Sequence, residues 1–144
     1  MWVTEDGITS VTESRVNDFP GIILDSRSEF DTVSIGRALG TVLRVGDVVL
    51  LSGELGSGKT RIVKGISEGI GSPHLARSPT FVLMVQYTGR ITLFHCDFYR
   101  LSSDLETEDL ALDEAIEQGA IAIEWPDIAP ENIRKDALLM TIQT

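Results

Sequence analysis

The spacing of apolar positions changes several times along this chain, and each change predicts an element. "GIILDS" (21–26) is a short apolar run that reads as a strand. Before it, residues 1–20 are polar and without clear periodicity, and read as a loose N-terminal extension. Ser26 followed by Glu29 fits a capping box, and Ile35, Leu39, Val42 and Leu43 then share one helical face that Gly46 ends. "DVVLLS" (47–52) is apolar without alternation, which suits a central parallel strand covered on both faces. A second helix is predicted from about Lys59, burying Ile62, Val63, Ile66 and Ile70 and stopped by Gly71.

"TFVLMVQY" (80–87) and "RITLFHC" (90–96) flank Thr88-Gly89 and predict an antiparallel hairpin. A third helix is expected over 104–118, with Leu112, Ala115 and Ile116 inward and Gly119 at its end. Its acidic residues read as a solvated face. "AIAIEW" (120–125) reads as another buried strand and "ALLMTIQT" (137–144) as the last. Strands alternating with helices, plus one hairpin, predict an α/β domain over 21–144, with a mixed, mostly parallel sheet and helices on both faces.

Composition narrows the function. Twelve Lys and Arg against twenty-two Asp and Glu leave a net charge of −10, a poor basis for unaided nucleic-acid binding through phosphates. No apolar run suits a bilayer span, and the first residues lack the pattern of a signal peptide, so a cytoplasmic location is expected. Cys96 is the only cysteine, which excludes an intrachain disulfide and makes a redox or zinc role a poor fit.

Between strand 47–52 and the helix after it stands "GELGSGKT", in which Gly53, Gly58, Lys59 and Thr60 match the phosphate-loop pattern G-x-x-x-x-G-K-[ST]. Glycines let backbone N–H groups turn toward phosphate oxygens, and the helix dipole points its positive end at the anion. Lys59 would reach the β- and γ-phosphates, and Thr60 would offer its hydroxyl to Mg²⁺. Such a match arises by chance in roughly one chain of this length in two hundred. Its place between a buried strand and an amphipathic helix makes chance a weaker explanation still.

A phosphate-loop hydrolase also needs carboxylates, one for metal and one for the attacking water. Two apolar strands end in acids, "ITLFHC" at Asp97 and "AIAI" at Glu124. In parallel α/β sheets ligands bind beyond the carboxyl ends of strands, so both acids are expected beside the loop. An acid after a strand is otherwise just the start of a turn. His95, two residues before Asp97, is expected on the same strand face, to order an acid or a water or simply to sit satisfied at the sheet end. Cys96 is expected to point the other way, into packing.

Together, "GELGSGKT", "SPTF" (78–81), "HCDFYRL" (95–101) and "EWP" (124–126) resemble TsaE, the bacterial tRNA threonylcarbamoyladenosine biosynthesis ATPase family. The four stand in family order and span most of residues 28–128. The resemblance implies a single P-loop NTPase domain that binds ATP and Mg²⁺, with nucleotide contacts at Gly53, Leu55, Gly56, Ser57, Gly58, Lys59 and Thr60. It implies an essential acid at Asp97, a metal site shared by Thr60 and Glu124, and a nucleotide-sensing loop at Thr80. Catalysis would then rest on Lys59, Asp97 and Glu124. A segment near the adenine corresponds to Glu29 through Thr32, although a capping carboxylate explains Glu29 equally well. Arg61 departs from the family, whose loops usually continue with a second threonine.

The resemblance implies hydrolysis of ATP to reset an assembly of threonylcarbamoyl-transferring subunits, slow alone and stimulated by those partners, with tRNA held by them. Two other readings stay open. A small metabolite kinase shares the loop and fold class but needs an arginine-rich lid, whereas Arg61, Arg77, Arg90 and Arg100 are scattered. A nucleotide-dependent switch with little turnover is the third, against which the intact Lys59, Thr60, Asp97 and Glu124 argue. No [NT]-K-x-D motif for guanine occurs. Of the remaining residues, Trp125 before Pro126 reads as packing, with stacking on a partner or pinning of the loop after Glu124 as alternatives, and His74 as a surface turn residue. Tyr99 and Arg100 exceed what a strand end requires.

Overall fold

The computed structural model describes residues 11–16, 19–73, 83–102, 107 and 110–144. Five strands form one sheet: β3 (Val48–Gly53), β4 (Met84–Thr88), β5 (Thr92–Asp97), β6 (Gly119–Glu124) and β7 (Leu138–Ile142), in the order β4-β5-β6-β3-β7. β5, β6, β3 and β7 run parallel, and only β4 is antiparallel, paired to β5 through the expected hairpin. Where a loose extension is expected, β1 (Val11–Val16) pairs antiparallel with β2 (Phe19–Leu24) in a separate two-stranded sheet.

Side chains alternate across the sheet with period two, and each face has its own core. On one face α1 (Glu29–Val42) and α2 (Lys59–Gly69) cover Val49, Leu51, Leu93, Ala120 and Ala122. On the other, α3 (Leu112–Gln118) and the short α4 (Glu131–Arg134) cover Val48, Leu50, Phe94, Cys96, Ile121 and Ile123. The unbroken apolar runs of β3 and β6 therefore have partners on both sides, which is why they showed no alternation.

The two helices of the first face meet through glycines. A methyl group at Gly36 or Gly40 of α1 would land on the carbonyl oxygens of Ile62 or Ile66, and one at Gly65 or Gly69 of α2 on those of Val33 or Arg37. Four positions without Cβ, spaced by four on each helix, thus let the backbones touch. The β4–β5 turn docks beneath: Arg90 N–H donates to Ile70 O, and Arg90 Nη2 donates to Gly40 O at 2.9 Å and Leu43 O at 2.8 Å. The last turn of α1 has no basic residue of its own, so this guanidinium satisfies its terminal carbonyls.

Three local expectations change. The N-cap of α1 is Ser28, which accepts from Asp31 N–H, and not Ser26. Ser26 instead hydrogen-bonds Thr32 Oγ1 at 2.7 Å, because its hydroxyl stands two residues too early to cap the first free N–H groups. The third helix is described as only Leu112–Gln118, and residues 104–106 and 108–109 of the expected span lie outside the described residues. Between β6 and β7 the chain adds a 3-10 turn at Pro126–Ile128 and then α4, with Ala129 and Ile133 closing the second core. Among the described residues no helix is long and apolar enough to cross a membrane.

Candidate functional site

The loop 53–60 begins as β3 ends, and three of its residues hold backbone angles that side chains disfavour: Gly53 at φ 153°, Gly56 at 77° and Gly58 at 114°. At Gly53 a Cβ would also collide with Ile142 O and Ser57 Oγ, so the turn requires glycine twice over. Gly58 caps α2 with no side-chain hydrogen bond, leaving the first N–H groups of the helix for an anion.

Lys59 folds back into this loop. Its Nζ donates to Gly53 O and Glu54 O, both at 2.7 Å, and lies 4.1 Å from the centre of the Trp125 ring. Burial pushes the ammonium below its ordinary pKa, while Glu124 and Asp97 pull the other way. The carbonyls and the indole face replace water around a charge that is only 5% exposed.

Pleating brings the acids to the same place. Asp97 and Glu124 are register partners on β5 and β6, and Glu124 is also the partner of Leu51 on β3. Leu51 faces α2, so Glu124 does too, as do His95 and Asp97 on the odd positions of β5. Thr60, in the first turn of α2, donates its hydroxyl to Glu124 Oε1 at 2.8 Å. His95 Nε2 stands 3.3 Å from that same oxygen. Burial pushes the Glu124 carboxyl up, but His95, the Thr60 hydroxyl and Lys59 outweigh it and hold the pKa below its ordinary value. Asp97 Oδ1 accepts from Tyr99 N–H at 2.9 Å, which folds the chain sharply as β5 ends.

A cleft of about 520 Å³ joins these parts, lined by Lys59, Thr60, Arg61, Asp97, Tyr99, Arg100, Glu124 and Trp125 with the loop residues Leu55, Gly56 and Gly58. Glu29 and Thr32 reach its edge. Arg61 pairs with Glu29 at 3.3 Å, and Thr32 Cγ2 lies 3.5 Å from where a Cβ on Gly58 would stand. Of the residues expected at the site, only Thr80 is not placed; it lies outside the described residues, as does His74.

Trp125 packs, as expected, but within the site. Its backbone is left-handed at φ 55°, its ring lies under Lys59 Nζ, and Tyr99 packs against it at 4.9 Å between centroids. The tripeptide "EWP" carried the signal: proline disfavours helical backbone at the residue before it, so Trp125 could not simply continue into the following turn. Cys96 lies as expected in the second core, where burial and then the Asp97 charge push its thiol pKa up to about 12.

Comparison with known proteins gives the chain its relatives. Residues 26–144 match the family model for the threonylcarbamoyl adenosine biosynthesis protein TsaE. A tRNA threonylcarbamoyladenosine biosynthesis protein TsaE from Streptomyces coelicolor is 42% identical over 75% of this chain and 76% of its own. Those from Treponema pallidum and Bacillus subtilis are 44% and 36% identical, over 69% and 78% of this chain and 75% and 72% of theirs. The crystal structure of YdiB from Bacillus subtilis superposes with a TM-score of 0.67 at 29% identity, covering 81% of this chain and 72% of that one. Matched by the family model over most of its length and by relatives at up to 44% identity, this chain belongs to the TsaE family.

Proposed function

We propose that the chain is the ATP-binding and ATP-hydrolysing component of the machinery that makes threonylcarbamoyladenosine in tRNA. The observation that carries this is the Thr60–Glu124 pair at the foot of an uncapped helix that follows a glycine loop. A hydroxyl and a carboxylate side by side, with a second carboxylate on the next strand, are the oxygen donors that Mg²⁺ selects. Thr60 and Glu124 would hold the ion there, and Asp97 faces the same cleft.

The loop N–H groups and the first turn of α2 bind the phosphates. Lys59 exchanges two backbone carbonyls for phosphate oxygens, and its partly desolvated charge makes that exchange favourable. Mg²⁺, when bound, neutralises negative charge on the phosphate oxygens. Asp97 orients the attacking water by accepting a hydrogen bond from it. Glu29 and Thr32 lie where the nucleoside end would emerge, beside Gly58 and Arg61.

Arg90, one of the four scattered arginines, is committed to the carbonyls of α1 and so is not available to a kinase lid. Hydrolysis therefore suits the site better than transfer to a metabolite. A chain of net charge −10 meets tRNA through the other protein subunits of the threonylcarbamoyl-transferring complex, in the cytoplasm.

The test is phosphate release from ATP with and without Mg²⁺, by the chain alone and with those subunits, beside a Lys59→Ala control. Slow metal-dependent turnover that rises with the subunits and vanishes in the control is the expected result. Turnover independent of the subunits, or phosphate appearing on an added metabolite, would reject it.

A further inference from the structure

His95 is fully buried, and among the described residues neither ring nitrogen has a hydrogen bond of good geometry. Burying an imidazole costs stability unless its N–H finds an acceptor, so this position needs a reason. Among the described residues its close polar neighbour is Glu124, 3.3 Å from Nε2 and only 3% exposed. Both contacts of that carboxylate fall on one atom: Thr60 and His95 converge on Oε1. Oε2 has no such neighbour among the described residues, and Glu124 lines the cleft.

From this geometry we infer that His95 is a positioning residue for Glu124, holding Oε1 beside the Thr60 hydroxyl so that Oε2 faces the cleft. The inference rests on the metal role proposed for Thr60 and Glu124. Thr60 can donate its proton to Oε1 and still offer a lone pair to a cation, so that contact persists, but one hydrogen bond leaves the carboxylate free to rotate. The Nε2–H group of His95 is a second donor within reach, and a small rotation of the carboxylate converts the 3.3 Å approach into a hydrogen bond. Oε1 stays anchored and Oε2 faces the cleft. His95 thus acts on Glu124, on the neighbouring strand, and not on Asp97, which is nearer in sequence.

Two measurements test it. With only two histidines in the chain, long-range ¹H–¹⁵N spectra of the nucleotide-free protein resolve the His95 ring, with His74→Gln for assignment. Nε2 should carry a proton, and its signal should move in Glu124→Gln. A ring protonated on Nδ1 alone overturns the inference.

The second is the Mg²⁺ concentration needed for metal-dependent ATP binding, by calorimetry. His95→Leu and His95→Asn should raise it roughly tenfold or more, as loss of a residue supporting a metal ligand does. His95→Gln, whose amide nitrogen can reach the place of Nε2, should recover most of that loss, and metal-free nucleotide binding should not change. Equal defects in Gln, Asn and Leu variants mean a packing role and overturn the inference. So does an unchanged metal requirement in all three while Glu124→Gln raises it, which leaves the metal reading intact. If Glu124→Gln itself changes nothing, the metal reading falls and takes this role with it, whatever the spectra say about the contact.

Discussion

Thr60 Oγ1 and Glu124 Oε1 lie 2.8 Å apart, joining the first turn of α2 to the last residue of β6 across 64 positions of sequence. Each needs the other in the nucleotide-free protein. The hydroxyl sits at a helix start and the carboxylate at a strand end, and both line the same cleft. The site is assembled by its own donors and acceptors.

Because burial raises the Glu124 pKa and its three partners more than offset that, the folded value lies below the ordinary 4.5. A depressed carboxylate pKa contributes stability above the unfolded value, lost as pH falls through the folded one. The native chain should therefore exceed Glu124→Gln in stability most clearly near neutral pH. The gap should close as pH falls below 4.5. Urea midpoints of both proteins across that range check it, and a constant gap would show that the partners do not stabilise the charge.

Arg90 offers a test of the frame behind the site. Replacing it with Met keeps the apolar stem but removes donors to two α1 carbonyls at 2.9 and 2.8 Å. Hydrogen bonds from a charged group contribute about 1.5–3 kcal/mol, so the loss should be about 2 kcal/mol after partial hydration of the freed carbonyls. Denaturant unfolding measures this directly. ATP binding should persist, since the guanidinium lies at the far end of α1 from Glu29 and Thr32.

Gly65→Ala sets two effects against each other. Alanine improves helix propensity by about 1 kcal/mol. Its methyl, however, would meet Val33 O and Arg37 N, backbone atoms that cannot rotate aside. Overpacking typically costs about 1–3 kcal/mol and more when the obstacle is rigid, so the clash should win. The variant should unfold at lower urea than the native chain. An increase in stability would mean that α1 and α2 can separate without loss.

Much of this was legible in the sequence because the site sits where strong local signals coincide. The runs of β3 and β6, the amphipathic α2 and the loop between them are each dictated by neighbours in sequence. Period two alone then puts His95, Asp97 and Glu124 on the α2 face once the strands are parallel. What failed depended on choices between similar local options. Ser26 and Ser28 are both followed by an acid three residues on, and only the helix's entry angle decides between them. The strand at Val11–Val16 carries Thr, Glu, Ser and Arg between its valines, too polar a run to announce itself. Where Trp125 packs turns on a single left-handed residue, and the partner of His95 lies on another strand, 29 positions away by subtraction of 95 from 124.

The two acids should separate by function. Glu124 touches Thr60 and keeps an oxygen toward the cleft, so Glu124→Gln should raise the Mg²⁺ requirement for ATP binding. Asp97 uses Oδ1 to accept from Tyr99 N–H, and an Asn side chain keeps that oxygen and its hydrogen bond. Asp97→Asn thus removes charge and proton-accepting power from the second oxygen while leaving the loop in place. It should bind Mg-ATP with near-native affinity and release phosphate more slowly by about 10²–10⁴-fold, the usual contribution of a positioned base. Single-turnover phosphate release in the presence of partner subunits, beside Mg²⁺ titrations of binding, distinguishes the two. A larger metal defect in Asp97→Asn than in Glu124→Gln would exchange the roles. The Thr60 contact would then be a latch between α2 and β6 and not half of a metal site.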